Sequence, residues 1–264
     1  MNILQCLACA PAPIAATGDP RALADYWRQQ GIGPCNFLYE HFNEPVKYGT
    51  NCLVDLGKKR DQRDFGNGYV LDIEPDDYLA VGVQLAAAVR AVNAATLASA
   101  GGDGRATRPC SLYDLPVQRE RTPWDALHLA VWKSRNEAMA AAVAATVECC
   151  VLSMYPYATD SADKQARRIA AHVAECRRVA PKLPVRVVYQ VTLLADSGAN
   201  TRTWASRETT LATLRTCEAA GVRDVVLWSE VNGQADINGV RVIDGTEPPF
   251  VAVAEWMRGR GGAV

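Results

Sequence analysis

The chain has 264 residues, 49% of them apolar, with 28 basic and 29 acidic side chains and a formal net charge of −1. That composition supports a sizeable core and excludes a disordered chain. With charge nearly balanced and no strongly basic stretch, neither nucleic acid nor an anionic membrane is the expected main partner. The length exceeds a common single domain, yet α/β barrels run to about 200–250 residues as one domain.

In chain order, short β-branched runs alternate with alanine-rich amphipathic segments. Residues 2–8 (NILQCLA) read as a strand, and 20–31 as a helix capped by Asp19 and ended by Gly31. Residues 35–42 read as the second strand and 51–57 as a weak third, with 42–67 short of a helix. Residues 68–74 (GYVLDIE) read as a strong strand. Residues 76–100 form a helix with acidic residues at its start and Gly101-Gly102 at its end. A strand at 110–116 is followed by a helix at 123–147, opened by Thr122-Pro123. Then come a strand at 149–157, a basic-faced helix at 161–180, a strand at 184–193, a helix at 206–220, a strand at 224–230 and a last helix at 247–259.

Near-continuous apolar strands alternating with helices predict a parallel sheet covered by helices. Counting the weak strand there are eight, so the pattern predicts a (β/α)8 TIM barrel, with a degenerate third unit, as one domain over 1–264. No GxGxxG follows the first strand, and neither GxxxxGK[ST] nor GxSxG occurs. His41, His128 and His172 are far apart, and Cys6-Leu-Ala-Cys9 has no second pair to complete a zinc site. No cofactor and no metal is therefore expected. The nine cysteines show no disulfide framework and read as buried thiols, which leans toward a reducing, cytoplasmic setting. The first sixteen residues are apolar, but no basic segment precedes them and Pro11 and Pro13 break the run. No signal peptide and no membrane-spanning segment is expected.

In such barrels the active site lies at the C-terminal ends of the strands. Those ends carry Tyr39, Glu40, His41, Asn43 and Glu44; Asp72 and Glu74; Tyr113 and Asp114; Tyr155 and Tyr157; Tyr189 and Gln190; Trp228 and Glu230. Rings stack on the apolar faces of sugars, and carboxylates serve glycosidic oxygen chemistry. The set suits an oligo- or polysaccharide better than a phosphate, which would call for arginine, lysine and glycine. In LDIE (71–74), Asp72 and Glu74 lie two apart on a strand, so they share a face at roughly 6–7 Å between Cα atoms. Two acids in a partly dry mouth cannot both ionise freely. One carboxyl is held protonated, as a general acid requires. Glu74, nearer the open end, is the candidate proton donor, and Asp72 the deeper partner that tunes it. Asp76 and Asp77, by contrast, suit the N-terminus of the next helix.

A strand ending in Asp-x-Glu resembles the retaining glycosidases that act on N-acetylhexosamine polymers, the chitinase-type and hyaluronidase-type barrels. The order VLDIEP, SLYDLP (111–116), VLSMYPY (151–157), PVRVVYQV (184–191) and AAGVRDVVLWSE (219–230) is more similar to hyaluronidases. The resemblance covers about 65–230. It implies a glycosidase acting with retention by substrate assistance, in which the substrate's acetamido oxygen attacks the anomeric carbon. It further implies that Asp72 orients the acetamido group and that Glu74 acts as acid, then base. Tyr155 and Tyr189 would hydrogen-bond the sugar, and Trp228 would floor the subsite. The sequence departs from the hyaluronidase pattern at Ile73, where that family has tryptophan, and lacks the chitinase family's upstream aspartates. Two alternatives stay open. Glu74 and Glu230 could serve as acid and nucleophile of a two-carboxylate glycosidase. Alternatively, the barrel binds glycan without catalysis.

Overall fold

A computed structural model describes residues 1–7, 9–34, 36–39, 69–72, 110–112, 117, 126–145, 147–229, 237 and 240–260. The strand expected at 51–57 and the helix at 76–100 lie outside them.

The described elements are β1 (Asn2–Cys6), β2 (Cys9–Ala10), α1 (Ala12–Thr17), α2 (Pro20–Gln29), β3 (Gly33–Pro34), β4 (Asn36–Tyr39), β5 (Tyr69–Asp72) and β6 (Cys110–Leu112). They continue with α3 (Ala126–Val143), β7 (Cys150–Ser153), α4 (Ala162–Val179), β8 (Val185–Gln190), β9 (Thr192–Leu194) and β10 (Asn200–Trp204). The last are α5 (Arg207–Ala219), β11 (Asp224–Trp228), β12 (Arg241–Val242) and α6 (Pro248–Gly259). Strands and helices alternate, so the chain is mixed α/β.

The principal sheet has five strands in the order β3–β1–β11–β8–β7. β1 pairs in parallel with β11, from Asn2 opposite Asp224 to Cys6 opposite Trp228, and on its other side with β3. Cys150 N donates to Pro184 O at 2.9 Å and Met154 N to Val188 O at 2.8 Å, a constant offset that makes β7 and β8 parallel. Residues covered on both sheet faces explain the unbroken apolar runs: every residue of β7 and β8 is buried. The first strand lies beside the last long one, β11, inside the sheet.

A second parallel sheet runs β4–β5–β6. β4 pairs directly with β5, from Asn36 opposite Tyr69 to Tyr39 opposite Asp72.

By internal contacts the chain forms two compact units, Met1–Pro34 with Ser153–Val173 and Val187–Val264, and Cys35–Leu152 with Ala174–Arg186. In the first, β8 and β11 are backed by helices whose buried faces recur at helical spacing. In α4 these positions include Gln165, Ile169, His172 and Val173, and in α5 Thr210, Leu211, Leu214 and Cys217. Ser206 caps α5, its hydroxyl accepting from Thr209 N at 3.0 Å. In the second unit, Trp132, Met139 and Val143 of α3 are buried together with Cys149, Cys150 and Cys176. Cys9, Cys149, Cys150, Cys176 and Cys217 are all buried. Burial pushes the Cys9 thiol up and the Cys217 thiol up to about 12, so neither is a ready nucleophile. No described helix is long and apolar enough to cross a membrane.

Candidate functional site

In the first unit, three predicted positions lie at or just past the C-terminal ends of adjacent strands. β11 ends on Trp228, β8 on Gln190, and β7 runs out at Ser153 just before Tyr155. The rings of Tyr155 and Trp228 stack with centroids 5.3 Å apart and planes 10° from parallel. Both residues are partly exposed. β8 lies between β7 and β11, so this aromatic pair reaches across the end of the strand that carries Gln190.

Gln190 is fully buried. Its Nε2 donates to Thr192 Oγ1 at 2.8 Å, and its Oε1 has no hydrogen-bond partner among the described residues. Exchanging the amide's nitrogen and oxygen would only move the unsatisfied atom from acceptor to donor. A buried amide atom left open costs free energy.

Tyr189 faces the other way. Successive strand residues point to opposite faces, and the Tyr189 hydroxyl lies 3.0 Å from Thr210 Oγ1 of α5. Its ring is wholly buried, and burial pushes its phenol up despite the Thr210 hydrogen bond, which acts against the shift. Sequence reasoning placed Tyr189 and Gln190 together at the mouth. Strand periodicity allows only one of them there, so the direct sugar contact expected of Tyr189 is withdrawn.

Tyr157 is also buried, beneath a turn rather than on a strand. It bridges to Leu194, and the Arg168 guanidinium lies over its ring, 5.0 Å from the centroid. The strand expected over 149–157 stops at Ser153, because Pro156 has no N–H to donate to a ladder. Likewise, the strand expected over 184–193 stops at Gln190, and residues 192–204 form a hairpin, β9–β10, antiparallel with a bulge. Sequence reasoning missed this hairpin. Its one local signal is the turn sequence Asp196-Ser-Gly198, with Gly198 at φ 86°. Arg202, at φ 66°, occupies the bulge, and the neighbouring Trp204 ring lies 3.8 Å from the Arg241 guanidinium carbon.

In the second unit, the register sets Asp72 at the C-terminal end of β5, opposite Tyr39 at the end of β4. Glu74, Tyr113 and Glu230 lie outside the described residues, as do Glu40, His41, Asn43 and Glu44. Among the described residues no group of three or more His, Cys, Asp or Glu is placed to hold a metal ion.

No protein-family model matches the sequence, and no curated protein matches it. Solved structures do. The chain is similar to bee venom hyaluronidase, with a TM-score of 0.60 at 15% identity over 98% of this chain and 97% of that one. It is similar also to bee venom hyaluronidase in complex with a hyaluronic acid tetramer, with a TM-score of 0.61 at 15% identity over 98% and 96% of the two chains. At that identity the likeness is one of fold, extending over nearly the whole length of both proteins.

Proposed function

We propose that the chain is a glycoside hydrolase built as a single closed (β/α)8 barrel over residues 1–264, cleaving a glycosidic bond next to an N-acetylhexosamine. Glu74 serves as general acid and then base. Asp72 orients and polarises the acetamido group, whose oxygen attacks the anomeric carbon so that configuration is retained. Trp228 and Tyr155 present ring faces to the sugar, and the open amide atom of Gln190 takes a neutral donor or acceptor from it. Tyr39, Tyr113, Tyr157 and Glu230 complete the lining, Tyr157 by supporting Tyr155 from below.

The observation that carries this reading is the partly exposed Tyr155–Trp228 stack, at strand ends of a fold similar to that of bee venom hyaluronidase, with Gln190 ending the strand between. A stacked aromatic wall beside a buried amide is a surface for a sugar carrying neutral polar groups. That one such structure holds a hyaluronic acid tetramer supports a carbohydrate as the ligand class.

The test is a screen of aryl glycosides with and without the 2-acetamido group. Cleavage confined to acetamido sugars, blocked by a thiazoline mimic of the cyclised intermediate, is expected. Turnover of plain glucosides with a covalent adduct on Glu230 would instead assign a two-carboxylate mechanism. Binding without turnover would make the barrel a glycan-binding module.

A further inference from the structure

We propose that Arg168 is a positioning residue, which fixes the turn 154–160 from helix α4 and through it the pose of Tyr155 against Trp228. This rests on the reading of that ring pair as the sugar-facing wall.

Arg168 lies in a basic-faced helix, where a surface charge is expected, yet it is only 8% exposed. Its guanidinium serves several acceptors of one turn. NH1 donates to Asp160 Oδ2 at 2.9 Å, and NH2 donates to Tyr155 O at 2.5 Å and to Gln165 Oε1. Gln165 in turn donates from Nε2 to Met154 O at 2.8 Å. On the opposite side Leu194 N donates to Pro156 O at 2.8 Å, and Ala158 N to Leu194 O at 2.8 Å. Three consecutive carbonyls, at 154, 155 and 156, are therefore each held by a donor from outside the turn.

These carbonyls follow the last residue of β7 and have no place in its ladder. Without donors they would be buried and unpaired, which the chain avoids by supplying side chains from α4. Fixing the Tyr155 carbonyl fixes the backbone that aims its ring. Asp160, with its side chain 1% exposed, is clamped between Arg168 and Lys164, whose ammonium lies 2.7 Å away. A lysine at 168 would keep the charge and lose the fork that reaches Asp160 and Tyr155 together.

The experiment compares wild type, Arg168→Lys and Tyr155→Leu by near-ultraviolet circular dichroism and by steady-state turnover of an aryl N-acetylhexosaminide. The band lost in Tyr155→Leu belongs to the Tyr155–Trp228 stack. Arg168→Lys is expected to keep the far-ultraviolet spectrum, to lose most of that band, and to lower kcat about 10–100-fold with a smaller change in KM. A full band in a folded Arg168→Lys overturns the proposal, whatever the activity does. Lost activity with the band intact would mean that Arg168 acts some other way. Should Arg168→Lys fail to fold, Asp160→Asn decides, since removing the carboxylate that clamps Arg168 must weaken the same band. If the wild type cleaves no glycoside, the glycosidase reading fails while the band still tests the clamp.

Discussion

Burial of Glu175 in the second unit is offset by a two-pronged contact. Arg178 donates from Nε to Oε2 at 2.8 Å and from NH2 to Oε1 at 2.7 Å, and Asn136 Nδ2 adds a bond of 3.2 Å to Oε1. Burial alone would push this carboxyl up, but the bonds from Arg178 and Asn136 outweigh it and the net shift is downward from 4.5. The sign follows. The stabilisation is fully present above the unfolded value of about 4.5 and is lost as pH falls through the lowered native one. Glu175→Gln should cost about 1–3 kcal/mol at neutral pH, and should flatten the acid limb of a urea-unfolding series below pH 5, near the ordinary carboxylate range of about 4–5. An unchanged acid limb would remove Glu175 from that account. At Gln190 the prediction runs the other way. Gln190→Leu removes an unsatisfied amide oxygen but also the bond to Thr192; the two effects oppose, so stability should change by less than about 1.5 kcal/mol. Its kcat/KM should fall at least about tenfold, one lost hydrogen bond's worth.

At the scale of elements, helix ends were the most legible feature. Gly31 and Gly221 close α2 and α5 in the left-handed region, at φ 75° and 64°. The bonds are Gly31 N to Arg28 O and Ile32 N to Trp27 O, then Gly221 N to Glu218 O and Val222 N to Cys217 O, each 2.9 Å. Both are Schellman closures, and glycine is read from sequence because only it adopts that φ without strain. A Cβ on Gly31 would also come 2.6 Å from Met257 Cε. Gly31→Ala should therefore lower stability by about 1–2 kcal/mol in chemical denaturation, and a neutral effect would contradict the assignment. Ser206→Ala, which uncaps α5, should cost about 1 kcal/mol by the same measurement. The ends of strands were less legible. A strand's period of two says which residues share a face but not which face is inward. Tyr189 was therefore credited to the mouth alongside Gln190. Arg168 shows the same limit for helices. Its place among charged neighbours on α4 gives no sign that the turn above it draws the guanidinium inward.

For the whole molecule, alternation of apolar strands with helices was enough to predict parallel β-sheet and mixed α/β architecture, because strands covered on both faces must be apolar throughout. Strand order was not readable in the same way. It depends on long-range pairing, as in the direct β4–β5 register. The candidate site was legible as a set of residue types, and the Tyr155–Trp228 stack draws together two positions 73 residues apart in sequence. The acid pair remains the centre of the proposal, with Asp72 at the end of β5 beside Tyr39 and Glu74 two residues on. The most direct measurement is aryl N-acetylhexosaminide turnover by wild type and Glu74→Gln, each with an intact far-ultraviolet spectrum. We predict turnover by the wild type and a loss of about 10²–10⁴-fold in kcat on removing the acid. Undiminished turnover by Glu74→Gln would contradict the assignment of Glu74 as the proton donor.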